Sequence, residues 1–356
     1  MPKKSMTRMR LSARKELEEI LNEFPVGDLY EIASYGNGKI HDTYLVKTAP
    51  GGTRNPTAYI LQRLHAVFQQ TVLEDIDAVT QHLSKKGVRT PKLIRTNKGT
   101  LGLMRADQCW RMMIYLPGIS YEKNASVHQI EDAAMLLGRF HNALTDLDYQ
   151  FQHIIPDFHN TPRIIERMTE VTDRFHADPK HAILAPLATR IHNAWIKLKP
   201  TIPPLPPRII HGDPKLNNVR FDEHGRKAIA LLDFDTLGKN AIIVDLGDAI
   251  RSWCKRGKGQ NVYLDLELFE TFIHGYMRTA AFLTPEEKHA IPAGINQILL
   301  ELAARYLIDA FEEIYFKLEP KYTSLFQQNQ TKISGQLALY DDLQKKQRVI
   351  KTILQK

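Results

Sequence analysis

Over the first third of the chain, apolar residues come in short runs; beyond it they fall mostly at helical spacing. Leu17, Ile20, Leu21 and Phe24 share one face of a helix from Ser12 to Phe24, and Pro25 marks its end. Tyr30 to Tyr35, Ile40 to Val46 and Ala58 to Leu61 read as strands, the first two joined by Gly36-Asn37-Gly38-Lys39. Val72, Ile76, Val79 and Leu83 line the buried face of the next helix, which opens on Thr71 and Glu74 at capping-box spacing. Leu101 to Met104 and Trp110 to Leu116 are again strands, and Pro117-Gly118 breaks the chain. Ile130, Ala134, Leu137, His141 and Leu144 then fall on one helical face, with His141 reading as a hydrogen-bonded core histidine rather than a ligand. The region from His153 to Pro200 holds one or two further helices, and TIPPLPPR (Thr201 to Arg208) is a stiff connector. VDLGDAIRSW starts another helix, and Asn296 to Lys317 and Thr331 to Leu354 are long helical stretches without an internal repeat. The pattern predicts an α+β chain, a small antiparallel sheet followed by a mainly helical part.

The candidate chemistry lies between Arg208 and Ser252. Ile209-Ile210 leads into His211-Gly212-Asp213, Asn217 and Asn218 follow, and Val219 to Phe221 resumes the strand. Glu223 to Arg226 signals a turn, and Ala228 to Leu232 is a buried strand that stops at Asp233. Singly, each polar residue is explained as a turn or a cap. Together, a carboxylate, an amide five positions on and a second carboxylate after a hairpin match the needs of phosphoryl transfer. One carboxylate accepts the proton of the attacking hydroxyl, while an amide oxygen and another carboxylate hold magnesium against the phosphates. Upstream of such a set, the Gly-Asn-Gly tip around Asn37 and Gly38 reads as a loop whose amides approach phosphate oxygens.

H-G-D-x-x-x-x-N followed by L-L-D-F-D resembles the protein-kinase signature H-R-D…N…D-F-G, with Gly for Arg and Asp for the final Gly. In this form it is similar to the aminoglycoside phosphotransferase and choline kinase superfamily. SYGNGKIHDTYLV, YILQRLHAVF, LLDFDT, DLGDAIRS, ARYLIDAFEEIYFK and QLALYDDL resemble N-acetylhexosamine 1-kinases in particular. The resemblance implies a bilobal protein-kinase-like fold: an N-terminal lobe over 1–113, a hinge at 114–118 and a helical lobe over 119–356. It implies ATP as phosphoryl donor, Mg2+ as cofactor, and a nucleotide and a small-molecule acceptor as partners. Asp213 is then the general base, Asn218 and Asp233 the magnesium ligands, and His211 and Asp245 braces of the loop. Asn37 and Gly38 belong to the nucleotide loop, Ile114 and Leu116 offer backbone groups to the adenine edge, and Arg305 and Tyr315 bind a sugar.

A kinase of this type carries a cation on its third strand, placed by a helical carboxylate. YILQRLH has no lysine, so Gln62 or Arg63 takes that position on opposite faces; Arg63 is favoured because it is charged. Glu74 is either the cap of its helix or that cation's partner. Two other acceptors stay open. A polycationic aminoglycoside suits Asp309, Glu312 and Glu313, and choline suits a cage of Tyr306, Phe311, Tyr315 and Phe316. The missing lysine and altered D-F-G also fit a catalytically impaired, nucleotide-binding pseudokinase.

Composition constrains the rest. At 356 residues, 43% hydrophobic and 25% charged, the chain is long enough for two lobes. Its net charge of +8 is spread without an Arg/Lys stripe among aromatics, which argues against a nucleic-acid partner and suits phosphate ligands. No apolar run approaches the roughly 18 residues of a membrane span. MPKKSMTRMR lacks the apolar core of a secretory signal, and Cys109 and Cys254 make neither a disulfide framework nor a metal spacing. A cytoplasmic protein is expected.

Overall fold

A computed structural model of the chain describes residues 11–36, 41–49, 56–65, 67–123 and 125–355. The chain divides into two compact units, 1–117 with 147–154, and 118–146 with 155–356.

In the first unit, helix α1 (Leu11–Leu21) precedes strands β1 (Asp28–Ser34), β2 (Asp42–Ala49) and β3 (Thr57–Arg63). Helix α2 (Val72–Lys85) and strands β4 (Leu93–Ile94), β5 (Leu103–Arg105) and β6 (Gln108–Ile114) follow. The sheet runs β1-β2-β3-β6-β4 with β5 on β6, every pairing antiparallel. Period-2 alternation sorts its side chains. Val46, Leu61, Trp110 and Met112 pack on Leu17, Ile20, Leu21 and Phe24 of the α1 segment, so Gln62 and Arg111 turn to the opposite face. The buried Asp75 of α2 accepts hydrogen bonds from the amides of Gln152 (2.8 Å) and His153 (2.9 Å) and the Tyr149 hydroxyl (2.8 Å), which anchors 147–154 in this unit.

The second unit opens with helices α3 (Val127–Ala143), α4 (Thr161–Arg174) and α5 (His181–Leu198). Strand β7 (Pro207–Ile210) pairs antiparallel with β10 (Gly238–Ala241), enclosing the hairpin of β8 (Val219–Phe221) and β9 (Ala228–Leu231). Next come helix α6 (Ile242–Trp253), the short pair β11 (Lys255–Arg256) and β12 (Tyr263–Leu264), and helices α7 (Leu266–Met277), α8 (Pro285–Glu312) and α9 (Leu325–Gln355). Leu184, Ile191, Leu300, Leu307 and Ile333 bind α4, α5, α8 and α9 into one core. The last two helices differ from their sequence reading. Helix α8 starts at the capping box Thr284/Glu287, runs through Pro292, and ends at Glu312, with Glu313 left-handed. Tyr315 therefore lies beyond the helix. Where α6 meets α8, Gly247 and Gly294 bring backbone against backbone, and a Cβ on either would run into a carbonyl oxygen of the other helix.

Gly247→Ala therefore forces α6 and α8 apart and should cost about 1–3 kcal/mol, the usual range for overpacking. Gly238→Ala has open space around its Cβ and is the control. Urea midpoints of the two variants test this; equal midpoints would show that the helix contact is not tight.

Candidate active site

The HGD segment sits where β7 ends, and buried groups hold it from several directions. Gly212 has φ +82°, and a Cβ there would meet the Thr236 carbonyl, so only glycine fits. The fully buried Asp245 of α6 accepts from the His211 amide (2.6 Å), the Gly212 amide (2.8 Å) and His141 Nε2 (3.0 Å). His141 is a hydrogen-bonded core histidine, its Nδ1 lying 2.9 Å from the Tyr276 hydroxyl. Burial opposes a charge on Asp245, but its hydrogen bonds to His141 and the His211 amide outweigh it and hold the carboxyl below its ordinary range. His211 donates from Nε2 to the Leu232 carbonyl (2.9 Å) and accepts the Asp213 amide on Nδ1 (3.3 Å).

The residues after Asp213 are fixed in turn. Trp253 Nε1 donates to the Pro214 carbonyl (2.7 Å), and Ser252 Oγ accepts the Leu216 amide (3.2 Å). Asn218 donates its side-chain nitrogen to the Asp213 carbonyl (2.8 Å). A carbonyl can only accept, so this bond fixes which amide atom is the nitrogen and leaves Oδ1 out of that contact. The Asn218 carbonyl accepts the Leu232 amide (2.8 Å), which brings the end of β9 alongside.

One residue further, Asp233 adopts a left-handed conformation (φ 68°, ψ 66°). Holding a non-glycine residue there costs roughly 1–3 kcal/mol and is characteristic of functional turns. Ligand atoms of Asp233 and the buried Asp235 lie within 4.8 Å of each other, a hard-oxygen pair of the kind that suits a magnesium ion. Thr236 Oγ1 donates to the His211 carbonyl (2.8 Å) and ties this turn to the HGD segment. Asp233 reaches solvent, yet crowding by protein raises its pKa, helped by Asp235 and Asp213 and opposed by Lys215. Burial likewise raises Asp213; Lys215, ion-paired to it, works against the rise and Asp248 adds to it. Asp213, Asp233 and Lys215 thus feel one another's charge and form one cluster.

A second buried support comes from sequence-distant residues. His159 Nε2 lies 2.7 Å from the Gly212 carbonyl, and Nδ1 lies 2.9 Å from Glu301 Oε1. Both partners are acceptors, so both ring nitrogens carry protons. Burial disfavours the imidazolium, but Glu301 and the Gly212 carbonyl overcome it and raise the pKa to about 9. Glu301 also accepts from Thr161 Oγ1 (2.7 Å).

On the expected acceptor side, Arg305 Nη2 donates to the Tyr315 hydroxyl (2.7 Å) and its guanidinium lies 5.1 Å from that ring. Asp309, Glu312 and Glu313 are already engaged. Asp309 is buried and caps the amides of Ile314 (3.0 Å) and Tyr315 (2.6 Å), Glu312 pairs with Arg167 and Arg174, and Glu313 pairs with Lys180. The aromatic set makes no cage either: Phe311 stacks on Phe175 in the core, and Lys332 sits over Tyr306 (5.3 Å) and Phe316 (5.6 Å).

Within the first unit, Arg63 lies on the α1-facing side. It pairs with Asp42 (Nε, 2.9 Å), donates to Gln108 (3.0 Å) and stacks over Trp110 at 5.8 Å. On the other face, Gln62 accepts from Arg111 Nε (2.9 Å) and donates to Thr43 Oγ1 (3.0 Å), so the cation beside the third strand there is the buried Arg111. The capping box at Thr71 does not form. Thr71 is already helical (φ −58°, ψ −19°), its side chain makes no cap bond, and Glu74 is exposed. The Ile114 amide donates to the Lys92 carbonyl (2.9 Å), and Leu116 is buried. Asn37 and Gly38 lie outside the described residues.

Sequence reasoning missed Lys215 and Asp235, although both sit inside the motif it used. It also missed His159, Glu301 and Arg111, for which no local pattern exists.

Residues 31–284 match the family model described as the phosphotransferase enzyme family. The homoserine kinase of Mesorhizobium japonicum is 24% identical over 281 residues, 79% of this chain and 81% of that protein. Among solved structures, a microcompartment-associated aminopropanol kinase superposes with TM-score 0.64 at 16% identity, covering 95% of this chain and 98% of the other. Choline kinase from Cryptosporidium parvum Iowa II gives TM-score 0.59 at 12% identity, covering 96% and 97%. These likenesses agree with an α+β kinase-like fold. Among the described residues no helix is long and apolar enough to cross a membrane.

His159 makes the stability of the second unit depend on pH. Its pKa is about 9 when folded, against an ordinary 6.5, so its stabilisation is complete below pH 6.5 and is lost as pH rises through about 9. Unfolding midpoints measured at pH 6.5 and pH 9.5 should fall for the wild type, and fall much less for His159→Gln. Equal falls in both would remove His159 as the cause.

Proposed function

Because the chain belongs to the phosphotransferase enzyme family, we propose that it transfers the γ-phosphoryl group of ATP to a hydroxyl of a small molecule. The observation that carries this reading is the cluster of Asp213, Lys215 and Asp233, with Asn218 bonded to the Asp213 carbonyl and Asp235 beside Asp233.

Asp213 is the general base. Burial and the nearby Asp248 raise its affinity for a proton, and the ion pair with Lys215 keeps it ionised until the acceptor hydroxyl arrives. Lys215 then has two anionic neighbours, the carboxylate and the incoming phosphoryl oxygens, and its flexible stem lets the ammonium follow the charge. Asn218, Asp233 and Asp235 would hold Mg2+, which neutralises phosphate oxygens when bound. In the first unit, Ile114 and Leu116 would meet the adenine edge, and Asn37 and Gly38 the phosphates. Arg111 is better placed than Arg63 to supply positive charge on the Gln62 face, since Arg63 is paired with Asp42. His211 and Asp245 hold the base in place.

The acceptor is a small polar alcohol. A sugar hydroxyl is the reading favoured by the sequence resemblance, with Arg305 and Tyr315 as its contacts, whereas the relatives named for homoserine and aminopropanol point to amino alcohols. An aminoglycoside is disfavoured because Asp309, Glu312 and Glu313 are engaged, and choline because its expected cage is filled.

Release of ADP with Mg-ATP and N-acetylglucosamine, homoserine or 1-amino-2-propanol tests the reading. Asp213→Asn should lower kcat by about a thousandfold or more while leaving nucleotide binding intact; wild-type turnover in that variant would overturn the base assignment. Asp233→Asn should lower kcat and also weaken Mg-ATP binding in a titration. Lys215→Ala should cost on the order of 10²–10³ in kcat, as for other preorganised charge-stabilising groups, with partial recovery in Lys215→Arg.

A further inference from the structure

Helix α6 meets the catalytic segment along one stripe. Asp245 binds the His211 and Gly212 amides at one end, and Ser252 and Trp253 bind Leu216 and Pro214 at the other. Asp248, one turn after Asp245, lies on the same stripe between these anchors. It is 4% exposed. Its Oδ1 accepts Arg251 Nε (2.9 Å), while Oδ2 is buried and has no hydrogen-bond partner among the described residues. A carboxylate oxygen withdrawn from water and left unbonded is costly, and such an atom in a native protein calls for a functional or structural reason. Asp248 is also close enough to Asp213 and Lys215 for its charge to act on both.

We propose that Asp248 Oδ2 is an acceptor-binding atom, taking a hydrogen bond from a second donor, O–H or N–H, a few bonds from the hydroxyl that Asp213 deprotonates. This rests on the phosphotransfer reading above and adds a specificity rule to it. Arg251 already balances the charge of Asp248, so the unpaired oxygen asks for a donor rather than for a full positive charge. A sugar hydroxyl, an amide and an amine all supply one. Asp248 touches the acceptor and does not take part in bond making.

The test compares matched acceptors with Mg-ATP: homoserine with 4-hydroxybutyrate, 1-amino-2-propanol with 2-propanol, and N-acetylglucosamine with 2-deoxyglucose. Each second member lacks the nitrogen donor; 2-deoxyglucose keeps its ring hydroxyls, so that pair tests the acetamido N–H alone. For the pair that wild type uses, kcat/KM should fall about ten- to a hundredfold on losing that donor, the usual weight of a hydrogen bond to a charged group. The pair that responds identifies the donor as an amine or as a sugar substituent. Asp248→Asn keeps an oxygen for Arg251 and places an N–H donor where Oδ2 stood. It should raise the acceptor KM more than tenfold, move the nucleotide KM less than twofold, and no longer distinguish the matched pair. The circular dichroism and urea midpoint of the variant report whether it folds. If wild type treats both members of the pair alike, or Asp248→Asn keeps the discrimination, the proposal is overturned. No ADP release with any acceptor, dependent on Asp213, would instead overturn the phosphotransfer reading.

Discussion

One buried carboxylate organises the second unit. Asp245 collects two backbone amides and a histidine inside the protein, where an ionised group survives only with such company. Those amides belong to the two residues before Asp213, so the anion that stabilises the loop also sets where the Asp213 side chain points. Helix α6 carries this carboxylate, and its close glycine contact with α8 fixes the helix that presents it. Along the same helix face, Asp248, Ser252 and Trp253 continue the contact with the catalytic segment.

The charges around Asp213 follow from that arrangement. Below the loop, His159 and Glu301 form a buried imidazolium–carboxylate pair that grips the Gly212 carbonyl while Asp245 grips its amide. Both faces of one peptide segment are therefore held by ionic groups. Lys215 feels Asp213, Asp233 and Asp248, the last of which is also paired with Arg251. The excess of negative oxygen around the turn at Asp233 and Asp235 is what a divalent cation with phosphates would offset.

Much of this was legible in the sequence because it is local. The strands around His211-Gly212-Asp213, the turn at Glu223 to Arg226 and the stop at Asp233 depend on near neighbours, and the structure has them within a residue or two. Three features were not legible, for different reasons. Alternation shows that Gln62 and Arg63 face opposite ways, but only the packing of α1 on Leu61 and Trp110 decides which way is which. The Thr71/Glu74 spacing fits a cap, yet Thr71 itself is already helical, and the carboxylate that matters is Asp75, used by residues 149–153. The Asp309, Glu312 and Glu313 carboxylates look free for a cationic ligand until the helix end at Glu313 turns the chain back and gives each an internal partner.

Residue-resolved amide hydrogen exchange at His211 and Gly212, compared between wild type and Asp245→Asn, probes most directly whether one carboxylate holds the catalytic segment. In wild type both amides should exchange only as fast as the unit unfolds. In the variant they should exchange orders of magnitude faster, while α8 keeps its protection. Undiminished protection at both positions in a folded Asp245→Asn protein would contradict the dependence of the active site on that anion.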